Sequence, residues 1–133
     1  MFQLTVQSHQ RVELINITSQ VQALISQQKI NSGACLLFVP HTTAGITINE
    51  NADPDVARDI MATLSRLVPQ RGDYQHLEGN SDAHIKAVLT GSSVIVPISQ
   101  GRLQLGTWQA IYFAEFDGPR RRQVLVSFLA SLV

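Results

Sequence analysis

The segment from Ala34 to Val39 is an uninterrupted apolar run, closed on one side by Gly33 and on the other by Pro40. Its six residues are too few for a buried helix and far short of the roughly 20 that span a bilayer. The run reads as a central strand buried on both faces, so the rest of the chain has to supply layers around it. Much of that remainder also has strand character. Phe2, Leu4 and Val6 alternate with polar residues, as do Val12, Leu14 or Ile15, and Ile17, which predicts an opening hairpin around Ser8-His9-Gln10. Ile46 and Ile48 mark a second strand, and Val94 to Ile98 another. Thr107 to Phe116 places Trp108, Ala110, Tyr112, Ala114 and Phe116 on one face, with Gln109, Ile111, Phe113 and Glu115 on the other. Asp117-Gly118-Pro119 is then a turn, and Val124 to Leu129 its returning partner strand.

Three helices fall between these strands. Ser19 and Gln22 have the spacing of a capping box, followed by the apolar stripe Val21, Leu24 and Ile25 and a stop at Asn31-Ser32-Gly33. Asp53-Pro54 is a strong helix start, and Val56, Ile60, Leu64 and Leu67 keep helical spacing until Pro69. Ser81 can cap a shorter helix through Leu89, closed by Gly91. With no linker, low-complexity tract or repeat, residues 1–133 read as a single α+β domain. Its architecture is a mixed or mostly antiparallel β-sheet sandwich with helices packed on one side.

Composition narrows the function. Charged residues are 15% of the chain and apolar residues 44%. The charged share is below the roughly 25% of an average domain, so much of the surface is polar but uncharged or is covered by another subunit. Net charge is zero, and the one short basic run is Arg120-Arg121-Arg122. The surplus of cations that displaces counterions from nucleic acid is missing. No basic segment followed by an apolar one opens the chain, and no run approaches a membrane span, so neither signal peptide nor membrane is expected and the cytoplasm is the default. Cys35, the lone cysteine, reads as a small core residue in a reducing compartment.

The chemistry-bearing residues concentrate in the middle of the chain. His41 opens His-Thr-Thr-Ala-Gly just beyond the apolar run, where loops present side chains on a rigid base. Glu50, Asn51, Asp53 and Asp55 follow, and then His76, Glu78, Asn80, Asp82 and His84. Imidazole nitrogens with carboxylate oxygens suit a borderline divalent ion such as zinc, and the same groups act as acid and base near neutral pH. Plainer roles stand beside these: Asp53 as a helix cap, Asp82 as a partner of the helix dipole, His76 as a solvated loop residue. Gly79-Asn80-Ser81 runs into a helix start, a place that favours anions. Arg120 and Arg122 alternate toward one face, where guanidinium groups grip phosphate. Trp108 reads as a core or interface aromatic, or as a surface on which a heteroaromatic ring stacks.

Five segments carry a family resemblance: His41-Thr42-Thr43-Ala44-Gly45; Asn49-Glu50-Asn51-Ala52-Asp53-Pro54; His76-Leu77-Glu78-Gly79-Asn80-Ser81-Asp82-Ala83-His84; Gly106-Thr107-Trp108-Gln109; and Glu115-Phe116-Asp117-Gly118-Pro119-Arg120 with Arg122. In that order they resemble the YjbQ-like family, whose members are described as secondary thiamine-phosphate synthases. The resemblance implies an α+β homotrimer. It also implies an enzyme that joins a pyrimidinylmethyl diphosphate to a thiazole phosphate and releases pyrophosphate. His41, Glu50, Asp82 and Gln109 are then expected to be catalytic. Thr42, Thr43, Asn80, Ser81, Trp108, Arg120 and Arg122 are expected to bind the phosphorylated substrate. His41, His76 and His84 are expected to hold a divalent ion, zinc or magnesium. Two other functions fit the same residues: a metal-dependent hydrolase or lyase acting on a small phosphorylated metabolite, and a non-catalytic protein that binds a small anion or metal.

Overall fold

A computed structural model describes residues 1–132. Its strands are β1 (Phe2–Gln7), β2 (Glu13–Asn16), β3 (Gly33–Phe38), β4 (Ala44–Glu50), β5 (Ser93–Ser99), β6 (Arg102–Leu103), β7 (Gln109–Glu115) and β8 (Arg121–Leu129). The helices are α1 (Thr18–Gln27), α2 (Pro54–Leu67) and α3 (Ser81–Thr90). The strands form a five-stranded sheet in the order β1-β8-β3-β5-β6 and a three-stranded sheet in the order β2-β7-β4. Every pairing described is antiparallel, so the mixed-sheet option falls away.

The two sheets face each other across the main core. Val6, Cys35, Leu37, Val96, Val124 and Val126 from one sheet meet Ala44, Ile46, Ile111 and Phe113 from the other, and Val21, Leu24 and Ile25 of α1 close the space. A second, smaller cluster lies on the outer face of the three-stranded sheet, where Ala114 and Phe116 meet Ala83 and Ala87 of α3 and Met61 and Leu64 of α2. Two of the three helices therefore share one side, as expected, while α1 belongs to the central core. No helix among the described residues is long and apolar enough to cross a membrane.

Three expectations about the strands need correction. β1 and β2 are not a hairpin, and β7 and β8 are not partners: β1 pairs with β8 and β2 with β7. The two connecting segments run side by side from one sheet to the other, joined by Ser8 N–H to the Arg120 carbonyl at 3.1 Å and Gly118 N–H to the Arg11 carbonyl at 2.9 Å. Together they make one long antiparallel ribbon bent at a corner. Alternation fixes which face a residue takes but not which strand it meets. β3 is central, between β8 and β5, yet buried on one face only. Phe38 is exposed and Leu36 half-buried, because no helix covers that side of the larger sheet.

The caps also differ. α1 starts at Thr18, whose N–H is received by Asn16 Oδ1 at 3.0 Å. Gln22, freed from a capping box, instead bridges the Gly101 carbonyl and the Leu103 N–H. At α3 the cap position is held by Asn80, without a side-chain bond to the helix, and Ser81 is the first helical residue. The start of α2 is as expected, with Asp53 accepting from Asp55 N–H at 2.9 Å.

Candidate functional site: two clefts along one helix

The corner of the bent ribbon is dense in buried charge. Glu115 continues the core-facing row of Ile111 and Phe113, and it is fully buried, as is Arg122 at 3% exposure. Arg122 Nε donates to Glu115 Oε1 at 2.9 Å, and Nη2 donates to Thr43 Oγ1 at 2.8 Å. Ser8 Oγ donates to Glu115 Oε1 at 2.7 Å, and the N–H groups of Phe116 and Asp117 reach Oε2 at 3.1 Å each. Burial pushes the Glu115 carboxyl upward, but the bonds from Arg122 and Ser8 outweigh it and hold its pKa below the ordinary range. Gly118 is what lets the corner close: a Cβ there would fall on the Gln10 carbonyl oxygen, the Ser8 hydroxyl and the Glu115 side chain.

A second buried charge cluster lies under α3. Asp82, at 0% exposure, receives Arg11 through two bonds of 3.0 and 3.2 Å and Lys86 at 3.0 Å. Burial again raises the carboxyl, and the two cations more than reverse it. Asp82 is therefore enclosed and has no open path to a ligand. Beside it, Asn80 Nδ2 donates to Asp117 Oδ2 at 2.9 Å, and its Oδ1 is buried without a partner.

His41 stands at the edge of the first cluster. Its Nε2 accepts the backbone N–H of Gln123 at 3.0 Å. Burial lowers its pKa, the nearby charge of Arg122 lowers it further, and Glu115 opposes both. With Nε2 accepting, a neutral ring carries its proton on Nδ1. The ring lines an open cleft of about 380 Å³ with Thr42, Ala44, His84, Ala87, Val88, Gly91 and Ser92. His84 also lines a neighbouring cleft of about 430 Å³ with Asp73, Tyr74, Gln75, His76, Ser81 and Ile85. The rings of His76 and His84 meet edge to face, with centroids 5.4 Å apart. Ser81, His84, Ile85 and Val88 recur at helical spacing, so one exposed face of α3 floors both clefts.

His41 and His76 thus line separate neighbouring clefts, with His84 common to both. Among the described residues no group of three His, Cys, Asp or Glu side chains is placed to hold a metal ion. His41 Nε2 is already engaged, and His76 Nε2 lies 3.8 Å from Glu78 Oε2. Within one protomer, the described residues therefore do not form the expected three-histidine site for zinc or magnesium.

The family described as "UPF0047 protein YjbQ-like" matches residues 2–131. A UPF0047 protein of Methanocaldococcus jannaschii is 51% identical over 129 residues, covering 97% of this chain and 94% of its own length. The UPF0047 protein YugU of Bacillus subtilis is 47% identical, covering 95% and 96%. This chain belongs to the YjbQ-like family. The family's fold is matched as well: a Clostridium acetobutylicum member in crystal form superposes with TM-score 0.94 at 50% identity, covering 97% of this chain and 100% of that one. A YbjQ-like protein of unknown function from Sulfolobus solfataricus P2 gives 0.92 at 32% identity, covering 98% and 96%.

Other expected site residues of the YjbQ-like chain lie elsewhere within the protomer. In the β4–β7 ladder Ala44 faces Glu115 while Glu50 faces Gln109, six steps or about 20 Å away. Gln109 Oε1 accepts the Gly106 N–H at 2.8 Å, and Trp108 is 63% exposed in the turn before β7. Arg120 and Arg122 do not form a phosphate grip: Arg122 is enclosed, and Arg120 binds the Asp117 carbonyl at 2.9 Å and its carboxylate at 3.1 Å. Thr43 is buried against Arg122, whereas Thr42 is exposed at the His41 cleft. Sequence reasoning missed Ser8, Arg11, Tyr74, Lys86 and the role of Glu115. Two signals were readable: Glu115 is a charge on a core-facing row, and Asp82 and Lys86 are four apart on a helix.

Proposed function

We propose that this YjbQ-like chain is an enzyme of the secondary thiamine-phosphate synthase type, working in the groove along α3. The observation that carries the reading is the groove's polarity. One helix floors both clefts, with Ser81 and His76 beside its start and His41, Gly91 and Ser92 beside its end. In the reaction, the bond from the pyrimidinyl methylene carbon to the diphosphate oxygen breaks, and its electron pair leaves with pyrophosphate. The thiazole ring nitrogen forms the new bond to that carbon, leaving a thiazolium cation. Negative charge therefore grows on one fragment and positive charge on the other. A helix start favours the first and a helix end the second. The diphosphate lies toward Ser81 and His76, the thiazole toward Gly91, and His84 stands between them. His41 donates to the thiazole-side substrate through Nδ1–H. A divalent ion, when bound, would supply charge neutralisation for the departing diphosphate.

Purified protein given both substrates is expected to form thiamine phosphate and release pyrophosphate, with His84→Ala slower by about a hundredfold. No product from the unaltered protein, or an unchanged rate in His84→Ala, would end this reading. The proposal includes a homotrimer. Phe38, Ile95 and Leu129, at 43%, 59% and 47% exposure, leave an apolar strip on the larger sheet of the kind a second copy covers. Light scattering during gel filtration is expected to give a trimer mass, and a monomer mass would remove this part.

A further inference from the structure

We propose that Arg122, held by Glu115, is the positioning residue that presets His41 as an Nδ1–H donor; the inference rests on His41 acting in the α3 groove. Consecutive residues of β8 hold both ends of the segment 41–43. The Gln123 N–H reaches His41 Nε2 at 3.0 Å, and Arg122 Nη2 reaches Thr43 Oγ1 at 2.8 Å and the Thr43 carbonyl at 3.3 Å. Arg122 is in turn oriented by Glu115 through Nε at 2.9 and 3.2 Å. Glu115 is itself fixed by Ser8 and by two backbone N–H groups.

With exposures of 3% and 0%, neither member of the pair meets a ligand, so its role is exerted through the residues it grips. A buried ion pair is weak evidence for stability, because an apolar pair of similar volume often does as well. What it supplies here is direction. A two-pronged guanidinium anchored on a fixed carboxylate leaves Thr43 one place to sit. That holds the His41 ring edge against the Gln123 N–H. An imidazole so held has its acceptor nitrogen committed and its donor nitrogen free.

Long-range nitrogen–proton spectra of histidine-labelled protein at neutral pH read this directly. The unaltered protein is expected to show His41 as a single Nδ1–H tautomer. Arg122→Gln is expected to show both tautomers, with kcat down about a hundredfold and KM within about twofold. Arg122→Lys keeps the charge but not the planar grip, and is expected to mix the tautomers as well. Thr43→Val leaves the ion pair whole and removes only the hydroxyl, and a partial shift is expected. If the Arg122 variants do not fold, Thr43→Val decides alone. A His41 that is not Nδ1–H in the unaltered protein, or that stays a single tautomer in every folded variant, overturns the inference. Because this readout needs no substrate, a protein without turnover would sink the synthase reading and still leave the tautomer to be decided.

Discussion

At one end of the ladder between β4 and β7, Ala44 faces Glu115; at the other, Glu50 faces Gln109. The two ends belong to the same strands and each carries one glutamate. At the first, the carboxylate is enclosed and bonded by a guanidinium, a hydroxyl and two backbone N–H groups. At the second, the amide of Gln109 is exposed and bonded to a backbone N–H three residues away. The difference comes from the ribbon's bend. Only at the corner do both sheets and the loop after β3 converge, so only there can a polar group be surrounded. A polar residue on a strand is therefore informative according to which end it occupies.

That contrast can be broken by measurement. The largest effect is expected for Glu115→Ala, which leaves the Arg122 charge buried without a counter-charge at a cost of about 3–5 kcal/mol in urea unfolding. A loss below about 1 kcal/mol would mean that water reaches the corner and pairs the guanidinium. Ser8→Ala removes one donor to the same carboxylate and is expected to cost about 1–3 kcal/mol by the same method.

Acid should weaken the corner in two stages. His41 has its folded pKa below its ordinary 6.5, so just under that value the unfolded chain binds more protons and stability falls with pH. Glu115 and Asp82 are also lowered, from ordinary values of 4.5 and 3.8. Their contribution is whole above those values and is lost as pH drops through the lower folded ones. For an enclosed carboxylate, a tenfold difference in proton affinity between the folded and unfolded chain corresponds to about 1.4 kcal/mol. Replacing the pair together, Glu115→Leu with Arg122→Met, is expected to remove the Glu115 share of the second stage in melting curves between neutral and acid pH and to leave the Asp82 share. The smallest effect belongs to the far end: Gln109→Ala and Glu50→Ala are each expected to change unfolding stability by less than about 0.5 kcal/mol.

Much of this was legible in the residues. The Asp53-Pro54 start, the α1 stripe and the strands around Ile46 and Ile95 follow from caps and periodicity, which are local. The two histidine-bearing segments were legible as segments, and the fold sets His41 and His76 in neighbouring clefts that share His84. Strand partners were not, because period-2 alternation in Phe2, Leu4 and Val6 is satisfied equally by a hairpin and by pairing with β8. For the same reason Arg122 read as a surface phosphate grip. Its place on the inner row with Val124 and Val126 becomes visible only once β8 is known to back onto the core. Glu50 and Gln109 were grouped with His41 by motif order, which carries no distance along a strand.

The link between Ser8 and Glu115 joins positions 107 apart in the chain. Closing so long a loop is the slow, entropically costly part of assembling any domain. A fragment lacking either β1 or β8 cannot form this corner, since Ser8 follows the first and Arg122 lies in the second. The His41 ring gains its Gln123 contact only when β8 docks, so its orientation waits on that late pairing.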